Sequence, residues 1–105
     1  MEDQSFYIYI LFSPAFDKYY IGYSIDPSRR LIEHNTKPFN TYTSKFRPWE
    51  LKAYFYCGIN ESEARTLEKF IKKQKSRKLL EQLCDHDFVP TGVLAQLVRV
   101  PDIRD

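Results

Sequence analysis

Glycine is scarce in this chain, three residues in 105, and cysteine is scarcer, with only Cys57 and Cys84. So little glycine excludes a collagen-like chain. The 16% aromatic content excludes a solvated, disordered one, which carries few bulky apolar groups. Two cysteines cannot build a disulfide framework and lack the paired spacing of a zinc site, so both are expected to be buried or idle thiols. No apolar run approaches the ~18–20 residues needed to cross a bilayer. The start, Met1-Glu2-Asp3-Gln4-Ser5, is acidic where a secretory signal is basic. A soluble, cytoplasmic protein without membrane contact is expected. Internal repeats and low-complexity stretches are lacking too, and the length supports one core.

A large charge of either sign is also missing, since the net value is +2. That figure averages unlike parts. Residues 1–80 hold fourteen Lys and Arg against nine Asp and Glu, a net +5, whereas residues 81–105 hold two against five, a net −3. The stretch Lys69-Phe-Ile-Lys-Lys-Gln-Lys-Ser-Arg-Lys78 places six cations in ten residues. Such a surface suits phosphates, and it also suits an ordinary solvated helix face.

Residues 6–12, Phe-Tyr-Ile-Tyr-Ile-Leu-Phe, have the composition of a buried strand. Turn residues at 13–17 lead to a second strand, Lys18–Tyr23, so an antiparallel hairpin is expected, with Tyr7, Tyr9 and Leu11 sharing one face. Asp26-Pro27 starts a helix that runs to about Asn35 and puts Arg30 and His34 on one face, Arg29 and Glu33 on another. Residues 36–49 contain two prolines and show no period, which predicts a long ordered loop. Glu50–Tyr56 alternates, predicting a third strand with Leu51, Ala53 and Phe55 on its covered face. Asn60 opens a helix with an Ala64, Leu67, Ile71 stripe to about Lys75, and Ser76 opens a shorter one. The expected fold is α+β: a three-stranded antiparallel sheet flanked by helices, in the order β-β-α-β-α-α. Residues 1–84 form the domain, and residues 85–105 form a flexible or loosely packed tail.

Packing the hairpin against the first helix would gather Tyr9, Tyr20 and Gly22 opposite Arg30 and His34. An arginine fork can grip two phosphate oxygens, and a tyrosine or histidine can take the proton of an attacking water. Gly22 would leave room for a backbone or a phosphate to come close. The carboxylate that a divalent cation needs would be Glu68, at the edge of an apolar stripe. A carboxylate there needs a partner, which a magnesium ion, Arg30 or a lysine could each provide.

Tyr7-Ile8-Tyr9, Tyr19-Tyr20-Ile21-Gly22, Arg29-Arg30-Leu31-Ile32-Glu33-His34-Asn35 and Ser62-Glu63-Ala64 through Glu68 together resemble the GIY-YIG nuclease domain, over about residues 5–83. Thr43-Ser44-Lys45, Arg47-Pro48-Trp49 and Lys75-Ser76-Arg77-Lys78 sharpen the resemblance to small single-domain bacterial members. The resemblance implies a metal-dependent DNA endonuclease acting in repair or recombination, on DNA that is branched, nicked or partly single-stranded. Tyr9 and Tyr20 then lie near the attacking water and the scissile phosphate. Arg30 is the catalytic arginine, His34 supports Tyr9, and Gly22 is the glycine of the motif. Glu68 is the ligand of Mg²⁺ or Mn²⁺.

Lys45, Arg47, Lys72, Lys73, Lys75, Arg77 and Lys78 would hold flanking phosphates. Phe46 or Trp49 could stack on a base or fill the core. Leu80 departs from family nucleases that carry asparagine twelve residues after the glutamate. That departure keeps open a second reading, a nucleic-acid-binding module that cleaves weakly. A monomer is expected. Residues 92–100 resemble a peptide read out of an adjacent transfer-RNA gene, and an added edge strand is the competing reading.

Overall fold

The structure, a computed structural model, describes residues 4–38 and 41–101; residues 1–3, 39, 40 and 102–105, on which part of the expected 36–49 loop and of the tail fall, lie outside the described residues. Strands β1 (Tyr7–Ser13) and β2 (Lys18–Ser24) form the expected hairpin, with Tyr9 opposite Gly22 and Leu11 opposite Tyr20. Asp17 closes the turn at φ +56°, a left-handed conformation that aspartate tolerates. Helix α1 (Pro27–Thr36) begins where the Asp26 carboxylate accepts the Arg29 amide at 3.1 Å, with proline at the first helical position. A single 3-10 turn, Thr43–Lys45, interrupts the loop that follows. Then come β3 (Glu50–Tyr56), α2 (Glu61–Gln74) and α3 (Arg77–Cys84). Asn60 caps α2 by accepting the Ser62 amide at 2.9 Å, and Ser76 caps α3 by accepting the Leu79 amide at 3.0 Å. Between these helices Lys75 turns left-handed at φ +48°, which ends α2.

The sheet has four antiparallel strands in the order β2-β1-β3-β4, where three were expected. The fourth, β4 (Val98–Arg99), comes from the segment read as a loose tail and pairs with Phe55 and Tyr56 of β3. A 3-10 turn at Gly92–Gln96 precedes it, and Leu94 and Leu97 are 6% and 5% exposed within the main core. Two strand residues with no alternation carry too little periodicity to be seen in a sequence.

Helices cover both faces. On one, Ile8, Ile10, Ile21 and Phe55 pack against Ala64, Leu67 and Ile71 of α2 and Leu83 of α3. On the other, Tyr9 and Leu11 pack with Trp49, joined by Leu31 of α1 and Leu51. Leu51 therefore sits on the face opposite Ala53 and Phe55, contrary to the simple alternation. Between Ile10 and Leu11 the β1–β3 register slips, so that Ile10 meets Ala53 and Leu11 meets Leu51. This bulge sends Leu51 to the other side. As the central strand, β1 is covered above and below, which explains its unbroken apolar run.

Candidate active site

Tyr9 stands in the middle of β1 with 1% of its surface exposed. Its ring lies across the neighbouring strand at Gly22, where an added Cβ would stand 2.5 Å from the Tyr9 hydroxyl oxygen and 2.7 Å from Cζ. The space at Gly22 is thus taken by Tyr9 itself, in place of the phosphate or backbone expected there. Seated this way, the Tyr9 hydroxyl reaches His34 Nε2 on α1 at 2.9 Å, and the other ring nitrogen, Nδ1, lies 2.9 Å from Thr43 Oγ1.

Burial pushes His34 from 6.5 down to about 4, with Arg30 and Arg47 contributing and Glu33 opposing, so the ring is neutral at pH 7. Burial pushes the Tyr9 phenol up to about 12; Tyr20 adds to this and Arg30 opposes it. At neutral pH both side chains are uncharged.

His34, Tyr20 and Arg30 line a cavity of about 250 Å³ together with Glu33, Tyr42 and Arg47. Tyr9 lies behind His34, away from that lining. The Tyr20 ring packs 4.9 Å from the imidazole, centroid to centroid, and stacks with Tyr42 at 6.3 Å. Arg30 donates a short hydrogen bond to Glu33, and its positive charge favours the ionised form of Tyr9, against the effect of burial. With five N–H donors it keeps others for an anion in the cavity.

Glu68 projects from α2 with 15% of its side chain exposed, 3.5 Å from the Lys72 ammonium. That lysine sits 5.5 Å from the centre of the Tyr20 ring. A lysine is thus the partner that Glu68 takes here. Among the described residues no three His, Cys, Asp or Glu side chains gather as a metal cage. One carboxylate is still a fitting donor for Mg²⁺ or Mn²⁺. Magnesium characteristically keeps several waters and draws its other ligands from substrate phosphates.

Beyond Tyr20 and Tyr42, which the two hollows share, opens a larger one of about 500 Å³ that includes Lys18, Lys72, Lys75 and Arg77. Lys45, Lys73 and Lys78 are exposed. Three of the seven cations read as phosphate contacts are engaged within the protein, Lys72 with Glu68 as described and two arginines. Arg77 donates to the Asp17 carbonyl at 3.0 Å and pairs with the carboxylates of Asp17 and Glu81. Arg47 donates to the carbonyls of His34 and Lys37 at the end of α1, where a cation also suits the helix dipole.

Several site residues gave no signal of their own in the sequence. Thr43 backs His34. Its carbonyl accepts the Trp49 indole N–H at 2.8 Å. Asn35 brackets the Trp49 backbone, donating to its carbonyl at 3.0 Å and accepting its amide at 2.7 Å. Trp49 is thereby buried in the core and is no stacking platform. Thr43, Asn35 and Trp49 all stand in motifs that carry the family resemblance, the one pointer to the first two; Trp49 was expected either to stack on a base or to fill the core. Cys57 and Cys84 are free thiols, pushed up to about 11 by burial, and no described helix is long and apolar enough to cross a membrane.

Comparison with known proteins shows the family. The chain is similar to a Pediococcus acidilactici protein described as "UPF0213 protein in ldhD 5'region", with 31% identity over 91 residues, covering 85% of this chain and 91% of that one. Residues 5–81 match the GIY-YIG catalytic domain. This span runs from the strand that carries Tyr9 to the helix that follows Glu68, and the chain belongs to the GIY-YIG family.

Proposed function

We propose that the chain is an endonuclease that hydrolyses DNA phosphodiester bonds with the help of a divalent cation. The observation that supports this most is the buried Tyr9–His34 hydrogen bond at 2.9 Å behind a cavity that Tyr20 and Arg30 line. A scissile phosphate in that cavity would draw Arg30 away from Glu33, and a water molecule would enter beside the Tyr9 oxygen. The water passes a proton to the Tyr9 oxygen while Tyr9 gives its own to His34 Nε2, so the phenol never carries full charge. Arg30 and the Tyr20 hydroxyl stabilise the charge that grows on the phosphoryl oxygens. Glu68 would hold Mg²⁺ or Mn²⁺, which supplies neutralisation of phosphate charge. Lys72 would then give up Glu68 and face the flanking strand. Lys18, Lys72 and Lys75 around the larger hollow, with exposed Lys45, Lys73 and Lys78, supply a sequence-independent phosphate track. Branched, nicked or partly single-stranded DNA, in repair or recombination, is the substrate class this reading favours, with the chain acting as a monomer in the cytoplasm.

The test is cleavage of duplex, nicked, flapped and branched DNA with Mg²⁺ and with chelator, by wild type, Arg30→Ala and Glu68→Gln. Cleavage that needs the cation and falls about 10²–10³-fold on losing Arg30, with DNA binding retained, is the expected result. The alternative is a binding module, favoured by the internal partners of Arg30 and Glu68 and by leucine at position 80. Wild type that binds all four DNAs and cuts none establishes the module.

A further inference from the structure

We infer that Thr43 is a positioning residue, which holds His34 as the tautomer protonated at Nδ1 and so leaves Nε2 bare to receive the Tyr9 proton. The inference rests on the proposed role of the Tyr9–His34 pair. A neutral imidazole has one N–H and one bare nitrogen, and here each nitrogen faces a single hydroxyl at 2.9 Å: Nε2 faces Tyr9 and Nδ1 faces Thr43. The direction of the first bond follows from the chemistry of the two groups. A phenol O–H is a stronger donor than a neutral imidazole N–H, and a bare imidazole nitrogen is a stronger acceptor than a phenol oxygen, so the Tyr9 O–H points to Nε2. Nδ1 must then carry the hydrogen, and Thr43 Oγ1 must accept it. The Thr43 hydroxyl proton in turn has Thr41 Oγ1 at 3.3 Å. Tyr9, His34 and Thr43 thus each donate once, in one direction along the chain to Thr41.

Thr43 is well placed to impose that order. It is buried, lies in the 3-10 turn and is fixed through its carbonyl to the Trp49 indole. Asn35, the residue after His34, clamps the Trp49 backbone. The helix that carries the imidazole and the loop that carries its partner are thus bolted together, and Thr43 cannot drift from Nδ1 without breaking three further hydrogen bonds.

The experiment is long-range ¹H–¹⁵N NMR of histidine-labelled protein at pH 7, which reads the tautomer whether or not the protein cuts DNA. A His86→Gln variant assigns the two histidines. His34 is expected to be protonated at Nδ1 in wild type and in Thr43→Ser, and to shift toward the Nε2-protonated form in Thr43→Val and Thr43→Ala. On a DNA that wild type cleaves, kcat is expected to fall about 10²-fold in the Val and Ala variants with KM unchanged, and to recover in Ser. Nε2 protonation of His34 in wild type overturns the inference. So does an unchanged tautomer in the Val or Ala variant. If wild type cuts no DNA and the tautomer behaves as stated, the proposed function fails while the positioning role stands.

Discussion

A methyl group at Gly22 would stand 2.5 Å from the Tyr9 oxygen, and Tyr9 has no room to yield because His34 lies beyond it. Gly22→Ala is expected to destabilise the fold by about 1–3 kcal/mol in urea unfolding, the usual effect of overpacking. It should also abolish whatever activity depends on the Tyr9 hydroxyl, to the same extent as Tyr9→Phe. His34 makes a second prediction at this scale. Unfolded, its imidazole takes a proton near 6.5; folded, burial holds that back to about 4. The unfolded state therefore binds more protons between those values. Stability from this group is complete above pH 6.5 and is lost as pH falls through 4. The loss is on the order of 3 kcal/mol, and His34→Gln should flatten this part of the stability curve relative to wild type.

At the scale of elements, the loop after α1 belongs to the site as much as the helix does. Arg47 bonds two carbonyls at the end of α1, Asn35 clamps Trp49, and Thr43 closes on His34. Arg47 and Lys75 should consequently behave differently despite their equal charge. Lys75→Ala is expected to weaken DNA binding and reduce the salt slope by about 1, as one lost phosphate contact does. Arg47→Ala should lower the melting temperature and leave that slope unchanged. The sequence separates these two cations poorly. Lys75 advertises itself within a run of charge, while Arg47 and Arg77 are defined by carbonyls and carboxylates up to 60 positions away. What the sequence shows well is local. The caps Asp26, Asn60 and Ser76, the hairpin and the i, i+4 pairing of Arg30 with His34 all follow from neighbours, and they suffice to bring Tyr9, Tyr20, Arg30 and His34 together. The β1–β3 bulge and Thr43's place behind the imidazole depend on contacts between elements, which no local period encodes.

For the whole molecule, the acidic C-terminal segment is part of the core. Leu94 and Leu97 are buried there, Val100 donates its amide to the Tyr54 carbonyl at 3.0 Å, and Arg99 lies over Phe55. A chain ending at Pro90 would leave two leucine-sized voids, each worth about 2–5 kcal/mol. That approaches the whole stability of a domain this size, about 5–15 kcal/mol. Removing residues 91–105 is therefore expected to abolish or strongly lower the cooperative thermal transition followed by circular dichroism. A flexible or loosely packed tail, as expected from the sequence, would instead leave the transition unchanged.

The position of β1 has a last consequence. Alternate side chains of this one strand enter two separate cores, and it has a hydrogen-bonded strand on each side. No partial opening frees such a strand, since a local fluctuation would have to break both cores and two ladders at once. Tyr9 is therefore as durable as the fold itself. A natural inhibitor, a modifying enzyme or a partner protein has no transient route to it. Control of this protein has to act at the rim, where Arg30, Tyr20 and Tyr42 meet solvent, by deciding what reaches a centre that stays assembled.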